Sequence, residues 1–143
     1  MIRAEEIAVV MGGKSLIRRQ IRSLSDLDRV IDEGIPREVL DHVLGTLFGA
    51  DRSSAEFRNR IIPRATYQRK QTLESPFSDR VERLARIFAM ARAVWGDDEK
   101  ARRFLLLPHA ELEGNIPVEV ALTEVGARRV EAVMERGVHG LPI

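Results

Sequence analysis

Arg58, Arg60, Arg64, Arg69 and Lys70 fall within 13 residues that contain no acid, with Thr66 and Tyr67 among them. Cations this close in sequence can form one positive patch, and hydroxyl groups beside them add hydrogen bonds to phosphate. The same run also fits an ordinary solvated helix face. The second feature is the end of the sequence, His139-Gly140-Leu141-Pro142-Ile143, directly after a helix stop. Solvating Leu, Pro and Ile together gains nothing. Such a segment either folds back on its own domain or inserts into a partner's groove, offering three apolar groups and a terminal carboxylate.

Catalytic chemistry has no comparable candidate. There is no glycine-rich phosphate loop followed by lysine, and no dinucleotide-binding glycine pattern. His42, His109 and His139 lie far apart, and no two histidines share a helix face with a glutamate between them. The chain has no cysteine and no Ser-x-Gly nucleophile turn, which leaves covalent catalysis without a nucleophile. Asp97-Asp98-Glu99 read as a helix start, where the dipole favours negative charge. Arg128 and Arg129 read as solvated. No catalytic residue, metal ligand or cofactor is expected, and the chain reads as a non-enzyme.

The elements that must position these residues are helical nearly throughout, because apolar positions recur at three and four. Ala4–Met11 reads as a helix closed by Gly12-Gly13, while 14–23 fits a strand or a short helix equally well. Ser25-Asp26 offers an N-cap for a helix through Glu33, stopped by Gly34. Pro36 suits the first position of a helix to Phe48, with Val39, Leu40, Val43, Leu44 and Leu47 on one side. Ser53-x-x-Glu56 has capping-box spacing for a short helix to about Arg60. After Ile61-Ile62-Pro63 a second short helix runs over 64–71. Two short helices around a tight turn fit a helix-turn-helix, as they fit many small helical domains.

Thr72–Phe77, with Ser75-Pro76, is the best internal boundary. Beyond it, Ser78 or Asp79 can cap the longest helix, whose stripe is Val81, Leu84, Ile87, Phe88, Ala91, Val94 and Trp95. Gly96 ends it. A helix buries Ala101, Phe104 and Leu105 before Pro108, and Pro117 opens a single turn. Thr123 caps a last helix with Ala127, Val130, Val133 and Met134 inward, ended by Gly137.

Bulk properties are those of a soluble globular protein. Of 143 residues, 44% are hydrophobic and 31% charged, and the net charge is +1. No apolar run approaches the ~20 residues of a membrane helix, and no signal-peptide pattern opens the chain. The cytoplasm is the expected location, with no membrane partner.

Particular residues carry a family resemblance. Arg83-Leu84-Ala85-Arg86, Val94-Trp95-Gly96-Asp97, Glu99-Lys100-Ala101 and Phe104-Leu105 resemble the opening of the Xre/MbcA/ParS toxin-binding domain. Pro108-His109, Leu112-Glu113-Gly114, Pro117, Thr123-Glu124-x-Gly126-Ala127-x-x-Val130 and His139-Gly140 continue it in family order. Upstream, Asp32-Glu33-Gly34-Ile35-Pro36 and Ile62-Pro63-Arg64-Ala65-Thr66-Tyr67-x-Arg69 are similar to the Xre-like helix-turn-helix that precedes it. Phe104 stands where the family usually has tryptophan, and Glu113-Gly114 where it has two glycines.

The resemblance implies an all-α chain divided into an N-terminal segment (1–25) of uncertain structure, a helix-turn-helix domain (26–77) and a toxin-binding domain (78–143). It implies an antitoxin encoded beside a RES-domain toxin, an NAD-consuming enzyme that degrades the cofactor or transfers its ADP-ribose. His139, Gly140, Leu141, Pro142 and Ile143 would then reach toward the toxin's active site. Arg64, Thr66, Tyr67, Arg69 and Lys70, flanked by Arg58 and Arg60, would contact operator DNA. A homodimer within a toxin–antitoxin hetero-oligomer is expected. The competing reading is a dimeric helix-turn-helix regulator whose C-terminal half serves only for oligomerisation.

Overall fold

The longest apolar stripe of the sequence becomes the spine of the fold. A computed structural model describes residues 2–49 and 53–138, and the fold is all-α with one short two-stranded ladder. Helices α1 (Ala4–Val10), α2 (Gly13–Ile17) and α3 (Leu24–Glu33) lead to strand β1 (Ile35–Pro36) and helix α4 (Arg37–Phe48). Helices α5 (Ser53–Ile61) and α6 (Arg64–Arg69) precede strand β2 (Thr72–Leu73) and the spine α7 (Phe77–Trp95). Helix α8 (Asp98–Leu106), a 3-10 turn (Ala110–Leu112), α9 (Pro117–Val120) and α10 (Glu124–Val138) complete the described chain.

Val81, Leu84, Ile87, Phe88 and Ala91 of α7 are all fully buried. The spine touches α1, α3, α4 and α5 as well as α8 and α10. One hydrophobic core therefore runs from Ile7 and Met11 through Leu40 and Leu47 to Val130 and Met134. The segments expected on either side of residues 72–77 share it. No described helix is long and apolar enough to cross a membrane.

Several helix ends differ from their sequence reading. The ambiguous stretch 14–23 contributes a short helix, α2, that buries Ile17. The cap of α3 is Ser23, not Ser25-Asp26: Asp26 N donates to Ser23 Oγ at 3.1 Å, and the Asp26 carboxylate accepts from Arg22 N at 2.9 Å. Pro36 precedes the first turn of α4 because it belongs to β1, which pairs antiparallel with β2 through Ile35↔Leu73. That pairing also ends α6 at Arg69 and needs Gly34, whose φ of 107° is costly for other residues. A Cβ at Gly34 would approach Thr72 Cγ2 to 2.7 Å.

Ser78 does not cap α7. The helix begins at Phe77, and the buried Ser78 hydroxyl instead donates to Ile31 O at 2.7 Å. This satisfies a hydroxyl that burial would otherwise penalise. Gly137 does not terminate the last helix, which continues to Val138. Other expectations hold: α7 ends at left-handed Gly96, Asp97 accepts from Glu99 N at 3.1 Å, and Thr123 Oγ1 accepts from Gly126 N at 2.9 Å. The Ser53 side chain of the expected capping box lies outside the described residues.

Candidate functional site

Arginine holds the elements together at points that sequence spacing does not reveal. Arg80 Nη1 donates to Ile61 O, the last carbonyl of α5, at 2.6 Å. Arg102 Nε donates to Thr46 O near the end of α4 at 2.7 Å. Both place positive charge on carbonyls that a helix end leaves without partners. Much of the basic charge is thus committed inside the molecule.

The same holds for the basic run on α5 and α6. Arg60 leaves the run altogether: its Nη1 pairs with Glu119 of α9 at 2.6 Å. These two residues help line an apolar cleft of about 400 Å³ with Phe48, Phe57, Ile116 and Val118. Lys70 sits 4.0 Å from Glu74. Arg58 and Tyr67 are brought together, the guanidinium carbon lying 4.0 Å from the ring centroid. Arg37 of α4 lies 5.0 Å from the same ring and donates to Tyr67 O at 2.9 Å. The Tyr67 hydroxyl donates to Asp41, 2.8 Å from each carboxylate oxygen, and Arg58 Nη1 is 3.8 Å from Asp41 Oδ1. Burial, then the Asp41 contact, holds the Tyr67 phenol above its ordinary range.

Arg64 and Arg69 remain exposed on α6 and engage no described acid. Thr66 on the same helix is half-buried. Asp41 and Arg37 were not identifiable as members of this face from sequence, since both come from α4. Their only advance signal was charge on the exposed side of that helix.

The C-terminal elements form the second surface. Trp95 and Phe104 stack at 4.6 Å, and His109 meets Phe104 edge-on at 5.5 Å. His109 Nδ1 accepts from Glu111 N at 3.1 Å and so caps the 3-10 turn. Arg129 pairs with Glu113 and Arg136 with Glu111, so α10 is tied to the loop before α9. Arg129 is therefore paired as well as solvated. Among the described residues no group of three or more His, Asp or Glu side chains could hold a metal. His139, Gly140, Leu141, Pro142 and Ile143 lie outside the described residues.

A charged network pins α10 to the spine. Arg83 donates to Glu124 Oε2 at 3.0 Å and to Leu122 O at 2.8 Å. Arg86 reaches Glu124 at 3.2 Å, Glu131 at 3.3 Å and Glu82 at 3.7 Å. Burial raises the Glu82 and Glu131 carboxyls, more than Arg86 lowers them. Partial burial also acts on Glu124, but hydrogen bonds from Arg83 and charge from Arg86 hold it below its usual range. The folded state therefore holds protons on Glu82 and Glu131 more tightly than the unfolded chain does. Stability should fall as pH rises above 4.5 through the raised range, and Glu124 should act oppositely below 4.5. In thermal melts between pH 4.5 and 7, Glu82→Gln is expected to flatten the fall; an unchanged pH profile would refute the assignment.

Residues 90–140 match the family described as the Antitoxin Xre/MbcA/ParS C-terminal toxin-binding domain, a range that covers the end of α7 and all of α8, α9 and α10. Over 81 residues the chain is 38% identical to a protein of Pseudomonas putida named Antitoxin Xre, a match covering 54% of this chain. It covers 51% of that relative, so the chain spans about half of its length.

Proposed function

From the premise that the chain belongs, through residues 90–140, to the Xre/MbcA/ParS antitoxin family, we propose that it neutralises a cognate toxin and represses its own operon. The toxin is of the RES-domain class, which consumes NAD by degrading it or by transferring its ADP-ribose. Residues 78–143 cover the toxin's active site, with 139–143 entering it. Residues 26–77 carry α5 and α6 to operator DNA, and two copies act within a toxin–antitoxin hetero-oligomer. The protein itself performs no chemistry.

The observation that carries this reading is the 90–140 match to a toxin-binding domain. The DNA-binding half draws support from exposed Arg64 and Arg69 on α6, just after the Ile62-Pro63 turn. Apolar Leu141, Pro142 and Ile143 suit the exclusion of water from a partner's pocket better than they suit solvent.

The test is co-expression with the RES-type toxin of the neighbouring reading frame, reading growth and cellular NAD. The full chain is expected to restore both. Removal of Gly140–Ile143 is expected to abolish rescue while the truncated chain still co-purifies with toxin. Full rescue by the truncated chain would sink the insertion mechanism. Absence of both rescue and co-purification with the full chain would sink the antitoxin reading itself.

A further inference from the structure

The Tyr67 hydroxyl and Arg58 guanidinium are the kind of donor pair that binds a phosphate, yet they already hold an anion. Asp41 presents both carboxylate oxygens to the Tyr67 hydroxyl at 2.8 Å, and Arg58 Nη1 stands 3.8 Å from Oδ1. Arg37 also lies 5.0 Å from the Tyr67 ring centroid, so two cations flank the ring whose hydroxyl holds the carboxylate. A carboxylate and a phosphodiester each offer two anionic oxygens to the same donors. We propose that Asp41 is an internal stand-in for a DNA phosphate, occupying an anion position formed by Tyr67 and Arg58 that it must vacate before a phosphodiester can enter.

This inference rests on the reading of α5 and α6 as a DNA-binding face. Asp41 is well placed to yield. Its side chain is 45% exposed, so the carboxylate can rotate into solvent without disturbing the core. Ion pairs this exposed are weak, and their displacement costs little. The exposed Arg64 and Arg69 share α6 with Tyr67 and would engage neighbouring phosphates. A resident anion opposes binding to any phosphate backbone, so affinity for DNA of unrelated sequence is held down.

A role limited to orienting Tyr67 predicts the opposite sign, which makes the proposal testable. Fluorescence anisotropy of the full chain on a 20-base-pair duplex of unrelated sequence, across a potassium chloride series, supplies the measurement. One additional phosphate neutralised steepens the log–log salt slope by about 0.9, which is roughly eightfold tighter binding at 0.1 M salt. Asp41→Asn is expected to show both changes, Asp41→Ser to repeat them, and Arg58→Gln added to Asp41→Asn to remove them. Glu38→Gln, one turn away on α4, is expected to change affinity less than about twofold, and melting curves verify that each variant folds. Unchanged or weaker binding by both Asp41 variants while the wild type binds duplex would overturn the stand-in role. An equal gain from Glu38→Gln would do the same, by assigning the effect to overall charge. If wild type and variants all fail to bind duplex even at 25 mM salt, the DNA-binding reading fails and the proposal with it.

Discussion

Phe88→Ala is expected to cost about 3–5 kcal/mol and to lower the melting temperature by roughly 10–15 °C in a single transition. Phe88 is fully buried on the spine, and α7 packs against α1, α3, α4 and α5 as well as α8 and α10. Truncation removes an aromatic ring from a core common to both halves of the chain, and the cavity left cannot close from one side only. Trp95, the sole tryptophan, stacks on Phe104 and reports locally on the C-terminal elements. Far-UV circular dichroism reports on all the helices. The two signals should melt together in the wild type and shift together in the variant. A shift of the fluorescence transition alone would mean that the halves unfold separately.

The shared core also indicates which parts of the fold were legible in sequence. Helix starts and stops are local chemistry, so Gly96, Asp97, Pro117 and Thr123 were readable from their own neighbourhoods. The stripe from Val81 to Ala91 was readable from its period alone. Ser78 has the type and position of a cap, and only the arrival of Ile31 O from 47 residues away makes it a buried donor. The β1–β2 ladder was not readable, because two residues per strand carry no alternation and the pairing of Ile35 with Leu73 is tertiary. Ser23 and Ser25 can each cap, and Ser23 is the one whose hydroxyl accepts from Asp26 N while the Asp26 carboxylate accepts from Arg22 N.

The basic run behaves in the same way. Sequence identifies the cations but not their partners, and partner choice is decided by packing. Arg60 meets Glu119 from 59 positions away, and Tyr67 meets Asp41 from 26. What looks like one patch of five charges therefore divides. Arg64 and Arg69 stay exposed without a described acid, while Arg58, Arg60 and Lys70 have acids beside them.

Gly126→Ala is expected to cost about 3 kcal/mol, roughly 10 °C in melting temperature, and to weaken toxin neutralisation further than the lost stability explains. Gly126 lies in the first turn of α10, and a Cβ there would fall 1.7 Å from Val120 O and 2.9 Å from Thr123 Oγ1. The obstructing atom is backbone, part of α9, so no side chain can swing aside. Either α10 lifts from α9 or the Thr123 cap opens. Lifting would disturb the Arg83 contacts to Leu122 O and Glu124 and unseat Ala127, Val130, Val133 and Met134. On the proposed reading residues 139–143, which follow α10 directly in sequence, enter the toxin, so a change in the axis of that helix would redirect them. Gly45→Ala supplies the contrast: Gly45 is an exposed position inside α4, and an added Cβ meets nothing within 4 Å. That substitution should raise stability by about 0.5–1 kcal/mol, since glycine in a helix interior is unfavourable. Paired melting curves and rescue assays at 25 °C, where both variants remain folded, separate the two effects. Undiminished rescue by Gly126→Ala would show that the orientation of α10 does not matter to neutralisation.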